Sequence, residues 1–294
     1  MLIRDVLKQL KADGQLSFSC EFFPPKSPEG EATLWSTIEK LQPFSPSFVS
    51  VTYGAGGTTQ DVSLGVTQKI VHDTGMPTLA HLTCVGASRA ELSVIVDKFA
   101  EAGIENILAL RGDPTNGPGT PWVTAEGGFT YAIELVEMLS ERGGFSIGVA
   151  VFPEGHPESS SLDQDARVLA DKQRAGADFA VTNLFFSAQH YFAMVERAAA
   201  FGCDMPILPG LMPVTNYNQI ARFATLSGAE FPVELAEKFE AIKDDSEAVI
   251  NLGIESTTEL AQELIAGGAP GIHLYTLNRS RSTRDIFTNL GVNA

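Results

Sequence analysis

"YAIELVEMLSERGGFSIGVAVF" (131–152) carries the repeat that organises the chain. Its first part spaces apolar residues as a helix does and closes on Gly143, the kind of residue that favours a helix C-cap. Its second part, FSIGVAVF (145–152), is apolar without alternation, as expected of a parallel strand buried on both faces. Runs of the same kind recur at SFSCEF (17–22), SFVSVTY (47–53), TLAHLTC (78–84), NILALR (106–111), DFAVTNLFF (178–186), MPILPGLM (205–212) and GIHLYTL (271–277). Helical patterns such as ELSVIVDKFAEAG (91–103) lie between most of them, and several stop at a glycine: Gly75, Gly103, Gly176 and Gly202. Eight strands alternating with helices, most at spacings of roughly 30 residues, predict an α/β fold, a (β/α)8 TIM barrel. MLIRDVLKQLKADG (1–14) predicts an N-terminal helix, and 231–268 predicts extra helices between strands seven and eight. A doubly wound open sheet is the alternative, but it usually has fewer strands. With no linker or low-complexity segment in view, residues 1–294 are expected to form one catalytic domain without a regulatory one.

Composition narrows the classes. The chain is 44% hydrophobic, enough for a large core, and its 19% charged residues argue against disorder. A formal charge of −16 argues against nucleic acid and anionic lipid as partners, so an anionic ligand would need a local positive pocket. Cys20, Cys84 and Cys203 are far apart and show no C-x-x-C spacing. Such sparse thiols predict reduced cysteines in a cytoplasmic protein. No apolar run reaches the ~18 residues of a membrane span, the start does not read as a signal peptide, and no metal site is expected.

In a TIM barrel the site collects at the C-terminal ends of the strands. The residues there are Glu21; Thr52 and Tyr53; His81, within strand three; Arg111, Gly112 and Asp113; Phe152 with His156; Thr182 and Asn183; Pro209 and Gly210; and Asn278 with Arg279. Glu21 poses the sharpest question. An ionised carboxylate is costly to desolvate, so it has a partner, or its pKa is raised and it serves as a proton donor. Plainer readings exist for the others: an Arg111–Asp113 ion pair, His81 as a satisfied core histidine, and Lys172 as a solvent-facing helix residue. The GAGG loop at 54–57 lacks the order of a phosphate-binding motif.

Taken together, E-F-F-P-P-K (21–26), S-V-T-Y-G-A (50–55), A-H-L-T-C (80–84), L-A-L-R-G-D-P (108–114), F-P-E-G-H-P-E (152–158), A-G-A-D (175–178), P-V-T-N-Y (213–217) and H-L-Y-T-L-N-R (273–279) resemble the bacterial type of methylenetetrahydrofolate reductase over nearly the whole chain. The resemblance implies a TIM barrel that binds FAD and reduces 5,10-methylenetetrahydrofolate to 5-methyltetrahydrofolate with NAD(P)H, supplying methyl groups for methionine synthesis. It implies Glu21 as catalytic acid and Asp113 as a carboxylate between flavin and pterin. It places Thr52, Tyr53, Ala55, His81, Arg111, Gly112, Asp113, Tyr131, Ala132, Phe152, His156, Asp165 and Lys172 along the FAD. It places Glu21, Asp113, Asn183, Gln219, Phe223 and Arg279 against the folate. A homo-oligomer is expected. The chain departs from its relatives at Asn183, where they carry Gln, at Phe152, often Tyr, and at Asp171, often basic.

The implied chemistry needs an acid: the bridged ring opens to a 5-iminium cation as N10 leaves. An ordinary Glu has a pKa of roughly 4.3, and an apolar surrounding of Phe22, Phe23 and barrel aliphatics is expected to raise it. Asp113 is expected to accept hydrogen bonds from the pterin, and Arg111 and Lys172 to pair with the pyrophosphate. Two rival readings are a folate-binding methyltransferase barrel, which needs no flavin, and a non-catalytic folate- or flavin-binding paralogue.

Overall fold

A computed structural model describes residues 1–53, 60–114, 117 and 120–294, apart from the side chains at 60, 221, 223 and 225–227. Its strands are β1 (Ser17–Phe22), β2 (Phe48–Val51), β3 (Thr78–Thr83), β4 (Asn106–Leu110), β5 (Ser146–Val151), β6 (Phe179–Thr182), β7 (Ile207–Leu208), β8 (Gly210–Leu211) and β9 (Gly271–Tyr275). All pair in parallel, in the order β7-β6-β5-β4-β3-β2-β1-β9-β8.

The expected seventh strand, MPILPGLM, is thus two short strands divided at Pro209. Proline offers no N–H to a ladder, so the run changes partner there: β7 pairs with β6, and β8 with β9. The Pro209 carbonyl still accepts from His273 N–H (2.9 Å). The ring of strands is nearly closed through this kink, which makes the fold an α/β TIM barrel.

Side chains alternate along each strand and form two cores. Residues such as Cys20, Phe22, Val49, Val51, Ala80 and Leu82 face outward and pack under the surrounding helices. Phe48, Leu79, Leu108, Phe179, Val181 and Leu208 fill the lower barrel interior. The predicted N-terminal helix is α1 (Ile3–Ala12). Its Ile3 and Leu7 join the interior core, while Ile3 N–H donates to Asn106 Oδ1 (2.7 Å) and Arg4 N–H to Ser146 Oγ (3.1 Å). Helix α1 therefore seals the N-terminal end of the barrel, which leaves the opposite rim for a ligand.

Outer helices follow the strands: α2 (Pro28–Leu41), α3 (Gln60–Thr74), α4 (Arg89–Glu101), α5 (Ala132–Arg142), α6 (Leu162–Ala175), α7 (Ala188–Ala200) and α8 (Tyr217–Ser227). The extra stretch before the last strand forms α9 (Val233–Ile242) and α10 (Ser246–Ala266), and α11 (Ser280–Asn289) closes the ring. Among the described residues no helix is long and apolar enough to cross a membrane.

Candidate active site

Ser19 and Glu21 on β1, Ser50 on β2, His81 on β3 and His273 on β9 meet inside the barrel, above the apolar core. Pairing registers explain the meeting: Glu21 lies level with Ser50 on one side and Tyr275 on the other. Glu21 is 6% exposed. Ser50 Oγ–H donates to its Oε2 (2.8 Å). The same oxygen is 3.2 Å from His81 Nε2 and 3.6 Å from His273 Nε2. His81 Nε2 is buried and has no well-aligned hydrogen-bond partner, although it sits beside that carboxylate. On the far side of the second ring, His273 Nδ1 is 2.8 Å from Ser19 Oγ.

This arrangement corrects the expected direction of the Glu21 pKa. Burial by itself raises it, but the imidazoles of His81 and His273 beside the carboxyl outweigh burial and hold it well below the usual carboxylate range. The expectation counted the neighbouring Phe22 and Phe23, yet Phe22 packs outward under the helices. The groups that matter face inward from other strands. Nor is His81 an ordinary satisfied core histidine.

A second, cationic group lies near the ends of β4 and β5. Arg111 makes a two-pronged ion pair with Glu158 (2.7 and 2.8 Å) and sits 4.9 Å over the Trp122 ring. The plain Arg111–Asp113 pair is therefore replaced by Arg111–Glu158, and Asp113 is exposed. Arg111 draws the Glu158 carboxyl below its ordinary value. Gly112 has φ +87°, and an added Cβ would meet Thr83 Cβ at 3.0 Å and Val85 Cγ1 at 3.1 Å, so a side chain here is opposed twice.

Lys172, on α6, does not face solvent as the plain reading had it. It is half-buried and donates to the Ala150 carbonyl (3.1 Å). Burial pulls its pKa down to about 8, with Asp165 opposing and Arg111 adding to the drop. Asp165 Oδ2 accepts from His156 N–H (2.7 Å), and the His156 ring packs edge-on to Phe152 (4.9 Å). Burial, then Arg111, lowers the His156 pKa.

The other expected site residues are scattered around the rim. Thr52 and Tyr53 are half-buried just past β2, where the Thr52 carbonyl accepts from Ser63 Oγ–H (2.7 Å). Tyr131 is 62% exposed and Ala132 is buried, at the start of α5. Asn183 turns its Oδ1 onto the N–H of Leu184 (2.8 Å). Gln219 and Arg279 are exposed. Ala55 and the Phe223 side chain lie outside the described residues.

Ser19, Ser50, His273, Tyr275 and Glu158 had no assigned role in the sequence reading. Ser50, His273 and Tyr275 stand at inward positions of their strands, and polar residues in such positions need partners, which was the available signal. Glu154, His190 and Glu230 also bring ligand-type atoms within 4.8 Å of one another. Glu154 Oε1 there accepts from Glu230 N–H (2.8 Å) and lies 3.0 Å from His190 Nδ1, which is buried without a well-aligned hydrogen-bond partner.

Comparison with known proteins gives a consistent family. The family model for methylenetetrahydrofolate reductase matches residues 6–291. The Escherichia coli 5,10-methylenetetrahydrofolate reductase is 38% identical over 291 residues, covering 98% of this chain and 96% of the relative. Methylenetetrahydrofolate reductase (NADH) 1 of Arabidopsis thaliana is 36% identical over 303 residues, covering 99% of this chain and 51% of the relative. The chain thus spans about half the length of the plant protein. Among solved structures, a Clostridium thermocellum protein described as binding two copies of 5-methyl-5,6,7,8-tetrahydrofolic acid superposes with a TM-score of 0.66 at 14% identity over 97% of both chains, which shows a shared fold. Matched nearly end to end by bacterial reductases, with a barrel whose polar residues converge on one buried carboxylate, this chain belongs to the methylenetetrahydrofolate reductase family, enzymes that reduce 5,10-methylenetetrahydrofolate.

Proposed function

We propose that this single barrel reduces 5,10-methylenetetrahydrofolate to 5-methyltetrahydrofolate with electrons from NAD(P)H carried by bound FAD, and that Glu21 delivers the proton. The observation that carries the reading is the inward cluster of Glu21, Ser50, His81 and His273 beneath the open rim. The residues present suit an anionic dinucleotide. In a chain of formal charge −16, Arg111 and Lys172 gather at one stretch of rim beside the His156 ring. Arg111 and Lys172 would hold the pyrophosphate, with Asp165 fixing the His156 loop. When bound, FAD supplies the two-electron chemistry, accepting hydride from NAD(P)H and passing it to the folate.

The residues handle the proton. Glu21 is ionised at neutral pH, so a lone carboxyl cannot be the stored acid. A proton shared within the Glu21–imidazole cluster belongs to the cluster as a whole. Glu21 passes it to N10 of the bound folate, the C–N10 bond breaks, and the methylene carbon becomes part of a 5-iminium cation. Hydride then adds to that carbon and gives the N5-methyl group. Ser50 holds the Glu21 oxygen, and Ser19 orients the His273 ring. The exposed Asp113 carboxylate is free to accept from the pterin and to balance the cation.

Purified protein supplied with FAD should be yellow. NADH or NADPH should bleach it anaerobically, and methylenetetrahydrofolate should restore the colour with formation of 5-methyltetrahydrofolate. Folded protein that binds no flavin after FAD is added back would overturn the reading and favour the methyltransferase type.

A further inference from the structure

Leu277 and Asn278 follow β9 and have φ of +50° and +57°, two of the three non-glycine residues with positive φ among the described residues. Asn tolerates this region and Leu does not. Such strain persists only where surrounding contacts enforce it, and here the contacts are specific. Phe23 N–H donates to Asn278 Oδ1 (2.9 Å), and Asn278 Nδ2–H donates to the Phe23 carbonyl (2.9 Å). One side-chain amide thus takes up both polar backbone groups of Phe23.

The position matters. The β1–β9 ladder ends at the pair Glu21–Tyr275. Beyond it Thr276 N–H still reaches the Glu21 carbonyl (3.3 Å), and the ladder does not extend to Phe22 or Phe23. Thr276 Oγ1–H donates to the Glu21 carbonyl (2.7 Å), and Thr276 Oγ1 itself accepts from Asn278 N–H (3.0 Å). The Asn278 carbonyl is held in turn by Thr37 Oγ1–H of α2 (2.9 Å). The backbone is therefore tied at Glu21 and at Phe23, and the rings of Pro24 and Pro25 stiffen the chain on the far side of Phe23. No atom of Asn278 bonds the Glu21 carboxyl; its grip is on the chain that carries it.

We propose that Asn278 is a positioning residue for proton delivery: its amide carries the hold of the ended ladder on to Phe23 and so fixes where the Glu21 carboxyl stands beneath the rim. The inference rests on the reading of Glu21 as proton donor. A loose carboxyl slows a reaction that depends on its placement and leaves a step that needs no acid alone. The proposal thus separates the two half-reactions, which a residue serving only turn stability does not.

The test uses the FAD-loaded full chain in anaerobic stopped-flow, measuring flavin reduction by NAD(P)H and reoxidation by methylenetetrahydrofolate separately. Asn278→Gly accepts the positive φ and deletes both clamp bonds. Asn278→Asp keeps the acceptor for Phe23 N–H, loses the donor, and serves as the second variant if the first folds poorly. Asn278→Gly is expected to slow reoxidation about 10-fold or more and to leave reduction within about twofold, with Asn278→Asp intermediate. Combined with Glu21→Gln, Asn278→Gly should cause no further slowing, because both act through one group. Equal slowing of both half-reactions, or slowing that multiplies in the double variant, overturns the proposal. If Glu21→Gln is slow and both Asn278 variants are not, this inference alone falls. If Glu21→Gln reoxidises at the wild-type rate, the proton-donor reading falls and the inference with it.

Discussion

Replacing Glu21 with Gln probes the centre of the site with little change of shape. Gln can still accept the Ser50 hydroxyl bond (2.8 Å in the parent), but it carries no charge toward His81 and His273 and cannot serve as the acid. A buried hydrogen bond to a charged group contributes about 1.5–3 kcal/mol and a neutral one about 1, so the exchange costs about 1 kcal/mol. Relief from burying an ionised group opposes that cost. The net effect at pH 7 should stay within about 1–2 kcal/mol, a shift of a few degrees in Tm for a chain of this size. General acid catalysis contributes about 10²–10⁴ in rate, or about 2.7–5.4 kcal/mol of barrier. Folate reduction by Glu21→Gln should therefore fall at least about 10²-fold while the protein stays folded, holds FAD and is reduced by NAD(P)H at the parent rate. Loss of both half-reactions in equal measure would refute the acid role. The pH dependence is a second check. The folded carboxyl is held below its ordinary value, so its stabilising contribution is complete above about pH 4.3 and is lost as the pH falls further. Thermal unfolding of parent and variant from pH 7 to pH 3 should show the parent losing stability relative to Glu21→Gln at the acid end, and a constant gap would contradict the assigned direction.

Lys172 titrates at about 8 in this structure, so FAD affinity measured by fluorescence quenching should weaken as the pH rises through that value; Lys172→Met should bind FAD more weakly at pH 7 and lack this limb. Asn183→Gln lengthens a side chain that now folds back onto Leu184 N–H. Its amide should reach the pterin, lowering KM for methylenetetrahydrofolate several-fold with flavin reduction unchanged, and a raised KM would show that the pocket is closed around Asn. Gly176 caps α6 at φ +118°, and an added Cβ would strike Ser140, with its Cβ only 2.7 Å away. Gly176→Ala should cost about 2–4 kcal/mol from backbone strain and overpacking, read in urea unfolding, and adding Ser140→Gly should recover the packing part only.

The sequence alone determined the class of fold and the places where chemistry could stand. Apolar runs, helical periods and glycine caps are local signals, and the strand runs, α1 and the α9–α10 insertion follow them closely. The order of the strands along the chain also put Glu21, Arg111 and Asp113 at one rim, since βα units always present the same end. Tertiary structure decided which of these residues meet. Glu21 is joined by Ser50, His81 and His273 because barrel closure sets the stagger of each strand on the next, and stagger does not appear in the local sequence. That is why neighbours in the chain, Phe22 and Phe23, suggested a raised carboxyl pKa, while neighbours in space lower it. The same holds for Arg111, which finds Glu158 across a loop rather than Asp113 two residues on, and for the Pro209 break, where one run serves two partners. In sequence Asn278 is one more polar residue at the end of the last strand; its amide reaches Phe23 only because β1 and β9, from opposite ends of the chain, end side by side.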